Sequence, residues 1–334
     1  LKRHALKRPH LPTLRQSAWR GAMLKLNELL PACAHLARRA GKVIGKVHAE
    51  GQLGAHNKKT EGDDRAAQAM DPAEVLTIAD TQAQNVIVRS LRAMFPGIRI
   101  VGEEEEDKGV PDEKEPLTTL KDVPSLPHME VPAALANSLT YKDTCLWIDP
   151  LDGTIEFVRN NLHHVCVLIG ITVQDRPVAG VVFEPFVGGE DGTMTYGAVG
   201  VGVFGDRTPA FGEAPTELLV ATEEKHAKKP RIEGGLARLG VSGPRITQGC
   251  GQNLLKVLRG ATSAFAVDAG TSRWDTCAGE ALLMAVGGKL TNLDGGHIQY
   301  TEGTTSYVNT GGVFAARTEA LHDSLVRSFR PPEE

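Results

Sequence analysis

The chain has 334 residues, a formal net charge of −4, 41% hydrophobic and 23% charged residues. That composition is globular, it excludes a general nucleic-acid binder, which is expected to be basic, and no apolar run approaches the roughly 18 residues of a membrane span. Five scattered cysteines (Cys33, Cys145, Cys166, Cys250, Cys277) form no C-x-x-C pair, so they read as reduced thiols and not as a disulfide frame or a zinc site.

The first residues are basic: Lys2, Arg3, Lys7, Arg8, Arg15, Arg20 and Lys25 come before any acid. Residues 1–24 are expected to be a disordered arm or leader, with organelle targeting as the alternative to a cytoplasmic address. Leu26 to His48 carries apolar residues at helical spacing, among them Leu29, Cys33, Leu36, Ala40 and Val47. Gly51 to Asp71 reads as a loop, and Val75 to Met94 as a second amphipathic helix ended by Pro96-Gly97. Ile98 to Val101 is a short strand. Glu103 to Tyr141 opens on an acidic run and holds five prolines, which predicts a long insertion with a short helix near Pro132 to Ser138. Thr144 to Ile148 is a strand, Ile155 to Asn160 starts a helix, and Val165–Val173 pairs with Val178–Phe183 as a hairpin. Thr195 to Phe204 ends the first half, and the pattern breaks near Asp206 to Glu213. Beyond it, strands are expected at Glu217–Ala221, Ser263–Val267, Lys289–Leu293 and Gly312–Ala315. Helices are expected at Gly249–Leu258, Trp274–Val286 and Glu319–Ser328. The expected division is an α+β domain over 25–206 and an α/β domain over 207–334.

The stretch Trp147-Ile148-Asp149-Pro150-Leu151-Asp152-Gly153-Thr154 carries the chemistry. Two carboxylates stand three residues apart at the end of an apolar run, where Pro150 and Gly153 force a turn. Asp-Pro and Asp-Gly are also ordinary turn dipeptides. The apolar run nevertheless aims Asp149 at a sheet end, where clefts form, and paired carboxylates there call for a hard cation. Two more acids follow strands or open helices: Glu103, with Glu104 beside it, and Asp275. Each has a bland alternative, a solvated acidic run for the first and a favourable helix dipole for the second. Magnesium among such acids would hold phosphate oxygens and lower the pKa of an attacking water. Gly153 and Thr154 open a helix, so their N–H groups suit a phosphate, and the Thr154 hydroxyl suits the water. The adjacent His163 and His164 point in different directions and are poor metal ligands.

Three motifs occur in order: Gly102-Glu103-Glu104 after a strand, Asp149 through Thr154, and Trp274-Asp275 opening a helix that ends in Gly287-Gly288. Together they resemble the lithium-sensitive, magnesium-dependent inositol monophosphatase superfamily, from about Leu29 to Leu325. Val167-Leu168-Ile169-Gly170-Ile171 and Trp274-Asp275-Thr276-Cys277 bring the likeness closer to its 3'(2'),5'-bisphosphate nucleotidase branch. The resemblance implies an α+β or α/β class, with the layered α-β-α-β-α sandwich of the inositol monophosphatase and fructose-1,6-bisphosphatase type. It makes the first domain the metal-binding one and has the second complete the site. Glu103, Glu104, Asp149, Asp152, Asp275 and the Leu151 carbonyl become ligands for two or three Mg²⁺. Glu74 stands where the family has an aspartate paired with the threonine here numbered Thr154, and Asp71 is the alternative. Asp149, Thr154 and Glu74 are the catalytic expectation.

On the substrate side, Gly249-Cys250-Gly251-Gln252-Asn253 is a Gly-rich turn into a helix, and Gly153, Thr154 and Gly251 are expected against the substrate. Lys225, His226 and Arg273 are basic residues expected to hold a phosphate that is not cleaved. The implied reaction is hydrolysis of the 3'-phosphate of adenosine 3',5'-bisphosphate, with the related phosphosulfate nucleotide as a second substrate and lithium as an inhibitor. Inositol polyphosphate 1-phosphatase and inositol monophosphatase are the enzymatic rivals. A catalytically silent metal- or nucleotide-binding protein is the rival of another kind. The expected partner is a small phosphorylated metabolite, with no nucleic-acid polymer and no membrane, bound by a monomer or homodimer.

Overall fold

The computed structural model describes residues 22–51, 56–57, 75–104, 116–127, 129–133, 139–206 and 217–330. The basic arm up to residue 21, Asp71, Glu74, the end of the acidic run, most of the expected helix near 132–138 and the segment 207–216 lie outside them. No helix among the described residues is long and apolar enough to cross a membrane.

Strand β1 (Met23–Leu24) leads into α1 (Leu26–Glu50), which buries Leu29, Cys33, Leu36, Ala40, Ile44 and Val47 along one stripe. Gly51 ends it in the left-handed conformation, φ 68°, and returns its N–H to the His48 carbonyl. Strands β2 (His56–Asn57) and β3 (Val75–Leu76) pair antiparallel. The helical pattern read from Val75 accordingly starts later, as α2 (Ile78–Met94). Thr77 and Asp80 make the reciprocal capping bonds that fix its first turn.

The first sheet is built from β4 (Arg99–Gly102), β6 (Thr144–Asp152), β7 (Cys166–Val173), β8 (Arg176–Glu184), β9 (Thr193–Ala198) and β10 (Gly202–Gly205). Strand β5 (Leu139–Thr140) pairs with β1 instead. The sheet order is β10-β9-β8-β7-β6-β4. The β4–β6 pair is parallel and the others are antiparallel. Helix α3 (Thr154–Val158) follows β6 directly. The second sheet uses β11 (Val220–Thr222), β12 (Arg245–Ile246), β13 (Ala264–Val267), β14 (Lys289–Thr291) and β15 (Val313–Ala316), in the order β12-β11-β13-β15-β14. Its helices are α4 (Glu224–Ala227), α5 (Pro230–Arg238), α6 (Cys250–Leu258), α7 (Arg273–Ala285) and α8 (Glu319–Leu325). The sequence pattern does not reveal α4, α5 and β12, because Pro230, Gly234 and Gly235 interrupt the apolar spacing there.

Helices α1 and α2 cover one face of the first sheet. Helices α6 and α7 fill the space between the sheets, and α5 and α8 cover the outer face of the second. The order is α-β-α-β-α, as the resemblance implied. Helix α7 lies unusually close to the first sheet. A Cβ at Gly170 would stand 2.3 Å from the Cys277 sulfur, and one at Gly180 would stand 2.4 Å from the Ala278 carbonyl. Only glycine permits this approach, which brings the start of α7 up to the end of β6.

Candidate active site

All nine residues of β6 are buried, and the strand does not turn at Pro150 as the sequence suggested. It runs on to Asp152 with a register shift: Asp149 faces Leu168 and Asp152 faces Cys166, so β6 advances three residues while β7 advances two. In a regular strand, residues three apart point to opposite faces. The extra residue reverses that parity, and both carboxylates line one cavity of about 380 Å³. The sharp change of direction comes at Gly153, φ 86°.

Glu103 and Asp275 line the same cavity. The Glu103 N–H donates to the Ile148 carbonyl at 3.0 Å, which ties its backbone to the residue before Asp149. Asp275 occupies the third position of α7, and its carboxylate accepts the Ser272 N–H at 2.8 Å. The Asp149 carboxylate accepts the Leu151 N–H at 3.0 Å and is hydrogen-bonded to the Glu103 carboxyl. Asp152 is held from the start of α6: Gly251 donates its N–H at 2.7 Å and Cys250 its own at 3.3 Å. Four acids from three segments, two of them on β6, thus line one cavity.

Electrostatically the cluster is unsatisfied. Burial pushes Asp149 and Asp275 well above the usual carboxylate range, and the neighbouring carboxylates push them further. Burial also raises Asp152, to about 7, although the Gly251 N–H opposes it. Among the described residues no lysine or arginine pairs with Asp149, Asp152 or Asp275. Nor do any three acids, histidines or cysteines there already stand at the spacing that grips one ion. The donor set is nevertheless what a hard divalent cation takes: carboxylate oxygens converging on one cavity, with the Leu151 carbonyl lining the same wall. A cation would reverse the pKa shifts by supplying the missing positive charge.

Beside the acids, the Thr154 hydroxyl lies 3.0 Å from Asp80 Oδ1 and 3.0 Å from the Leu151 carbonyl. Glu74, the partner expected for Thr154, lies outside the described residues; among those described, Asp80 takes the bond. Asp80 is fully buried, and its other oxygen takes both the N–H and the hydroxyl of Thr77. The sequence presented Asp80 only as a helix residue, so nothing signalled this second use.

Several expected contacts are corrected. The Gly251 N–H is spent on Asp152 and is not available to a phosphate. Arg273 turns away from the cavity: its guanidinium bonds Thr304 Oγ1 at 2.8 Å and the carbonyls of Thr301 and Ser306, and it stacks on Tyr307. Glu104 sits outside the acid cavity, its backbone paired with the Gln84 amide. His226 is buried, and burial, reinforced by Lys225 and Lys229, pushes it down to about 4. It is neutral near pH 7 and is no counter-charge for phosphate. Neither ring nitrogen has a hydrogen bond, although Glu223 stands 3.9 Å from Nε2, and the ring lies directly behind Gly270 of the cavity wall. Lys225 does line the cavity, 3.3 Å from Glu223. The rings of His163 and His164 meet at 4.0 Å, tilted by 42°, and neither lines the acid cavity. Arg159, Glu223 and Gln248 line the cavity without having been foreseen. Arg159, held by Glu156 at 3.1 Å, is its second cation. No motif in the sequence marks these three.

The model of the inositol monophosphatase family matches residues 25–332. The chain is 31% identical over 300 residues to 3'(2'),5'-bisphosphate nucleotidase 1 of Rattus norvegicus, covering 87% of this chain and 91% of that one. The protein of the same name from Dictyostelium discoideum is 29% identical over 321 residues, covering 92% and 98%. Among solved structures, the extragenic suppressor protein suhB of Bartonella henselae superposes with a TM-score of 0.64 at 20% identity, covering 91% of this chain and 99% of that one. On its sequence, its layered fold and the match along nearly its whole length, the chain belongs to the inositol monophosphatase family.

Proposed function

We propose that the chain is a magnesium-dependent phosphatase that releases the 3'-phosphate of adenosine 3',5'-bisphosphate, leaving AMP and phosphate. The observation that carries this reading is the group of four acids lining one cavity, Asp149 and Asp152 buried and Glu103 and Asp275 half-buried, set beside a hydroxyl oriented by Asp80. Relatives at 29–31% identity that bear the nucleotidase name support the substrate class. Glu103, Asp149, Asp152, Asp275 and the Leu151 carbonyl would hold two or three magnesium ions, which supply charge for the phosphate oxygens and acidify the attacking water. Lithium is expected to inhibit by competing for one of these positions.

The chain's own residues then position the reaction. The Thr154 hydroxyl donates its single proton to Asp80, which leaves Oγ1 free to accept a hydrogen bond from water and to aim it. Lys225 and Arg159, the two cations of the cavity wall, hold the phosphate that stays on the sugar. Two cations at one cavity favour a substrate with a second anionic group over a simple monoester. The related phosphosulfate nucleotide carries the same groups and is a further substrate on this reading.

Phosphate release should be compared on adenosine 3',5'-bisphosphate, inositol 1,4-bisphosphate and inositol 1-phosphate, with magnesium and with EDTA. The bisphosphate nucleotide is expected to be fastest, and EDTA to stop all three. A faster inositol bisphosphate would move the substrate to the sugar branch. No magnesium-dependent release from any of them would leave a silent binding protein.

A further inference from the structure

The loop between β14 and β15 has no place in the chemistry so far, yet it touches the supports of three of the four acids. Glu302 pairs with Arg99 of β4 at 3.0 Å, four residues before Glu103. The rings of Tyr300 and Tyr307 meet Trp147 edge to face at 5.8 and 5.4 Å, two residues before Asp149 on β6. Tyr307 also meets Trp274, next to Asp275, at 5.7 Å. Asn309 donates to the Ser272 carbonyl at 2.9 Å and to Thr271 Oγ1 at 3.2 Å, while its own N–H bonds the Thr271 carbonyl at 2.8 Å. The Arg273 N–H bonds the Tyr307 carbonyl at 3.0 Å, and the Arg273 guanidinium closes on Thr301, Thr304 and Ser306. The inner side chains, Tyr300 and Asn309, are buried, Tyr307 is half-buried, and residues 303–306 between them are exposed.

We propose that residues 300–309 form a clamp that sets the spacing of Glu103, Asp149 and Asp275, with Tyr307 as its central positioning residue. The acids repel one another and come from elements far apart in sequence, so the first turn of α7 and the end of β6 would drift apart without a cross-brace. Tyr307 wedges between Trp147 and Trp274, and so links the strand that delivers Asp149 to the helix that delivers Asp275. Its hydroxyl accepts the Gly303 N–H at 3.1 Å, which holds the loop in the shape that presents the ring. Glu302 adds the third arm, to β4. A cluster held at fixed spacing binds a cation without first having to order its ligands, and partners outside the ligands themselves typically change metal affinity by about 10–100-fold.

This inference rests on the metal reading above, and its test separates the two. Binding of Mn²⁺ is measured by calorimetry on the whole chain without substrate, for wild type, Tyr307→Leu, Tyr307→Phe and Asn309→Ala. Tyr307→Leu is expected to weaken Mn²⁺ binding on the order of ten-fold. Its KM for substrate at saturating metal should stay within about two-fold of wild type, because no clamp residue touches the substrate. Tyr307→Phe keeps the ring and loses only the bond from Gly303, so it should weaken binding least, and Asn309→Ala should fall between it and Tyr307→Leu. A folded Tyr307→Leu with wild-type Mn²⁺ affinity overturns the clamp. If Tyr307→Leu does not fold, wild-type affinity in Asn309→Ala overturns it equally. A wild type that binds no Mn²⁺ overturns the metal reading itself.

Discussion

Asp149 and Asp152 end a nine-residue strand in which every residue is buried, whereas Lys225 and Arg159 stand at helices of four and five residues with side chains 41% and 53% exposed. The floor of the cavity is carried by long elements and fixed by backbone hydrogen bonds; its rim rides on short segments whose side chains pair with neighbouring glutamates. The floor therefore has one arrangement, and the rim can exchange its glutamate partners for a ligand. Rigid acids suit the reaction common to a family, and an adjustable rim suits the choice of substrate.

The sharpest way to break the comparison is Asp149→Asn. The side chain keeps its volume and loses its charge, so phosphate release should fall on the order of 10³-fold. The metal-free protein should melt no lower than wild type, because a buried carboxylate that repels its neighbours has been neutralised. Retained activity would remove the floor from the chemistry. Next comes Asp80→Asn, which disturbs the oriented hydroxyl of Thr154 and leaves the acids intact. The kcat should fall about 10–100-fold with KM little changed. A larger loss from Glu74→Gln than from Asp80→Asn would return the orienting role to Glu74.

The rim should respond in another parameter. Lys225→Ala and Arg159→Ala are each expected to raise KM for the bisphosphate nucleotide about five- to ten-fold, in line with the loss of one charge-assisted bond, with kcat nearly unchanged. Neither should alter KM for inositol 1-phosphate. If both substrates suffer alike, the two cations act on the general field of the cavity and not on a second phosphate.

This division also decides how much could be read from the chain. The motif from Trp147 to Thr154 was legible because one run of residues carries apolar strand, acids and hydroxyl together. The layered fold followed from its resemblance. What stayed hidden depends on partners far away in sequence. The register shift in β6 exists only against β7, and it explains why two acids of opposite parity share a cavity. The bond from Thr154 to Asp80 spans 74 positions. Gly251 and Arg273 looked free for substrate because an N–H and a guanidinium can donate to many acceptors. The chain had already committed them, to Asp152 and to the loop at 301–306. Arg159 and Gln248 belong to no motif, so only the folded wall shows them.

The smallest expected effect lies outside both regions and tests whether the floor is the sole buried charge that matters to stability. Glu280 of α7 is 1% exposed, and its carboxylate accepts the Tyr300 hydroxyl at 2.6 Å. Burial pushes it up to about 7, against the opposing effects of Tyr300 and of Arg176. Its folded pKa is raised above its unfolded one, so in the window between them the folded chain holds a proton that the unfolded chain has lost. The stability this proton provides is fully present below the unfolded pKa and is lost as pH rises through about 7, at up to about 1.4 kcal/mol per pH unit. Glu280→Gln keeps an acceptor for Tyr300 and has no proton to lose. Urea midpoints at saturating magnesium, which holds the acid cluster ionised, should coincide for the two proteins below the pKa of an unfolded glutamate and separate in favour of the variant as pH rises to about 7, remaining apart on the alkaline side. Equal midpoints on the alkaline side would mean that Arg176 and Tyr300 hold Glu280 ionised at no penalty, and the floor would then stand alone as the molecule's strained charge.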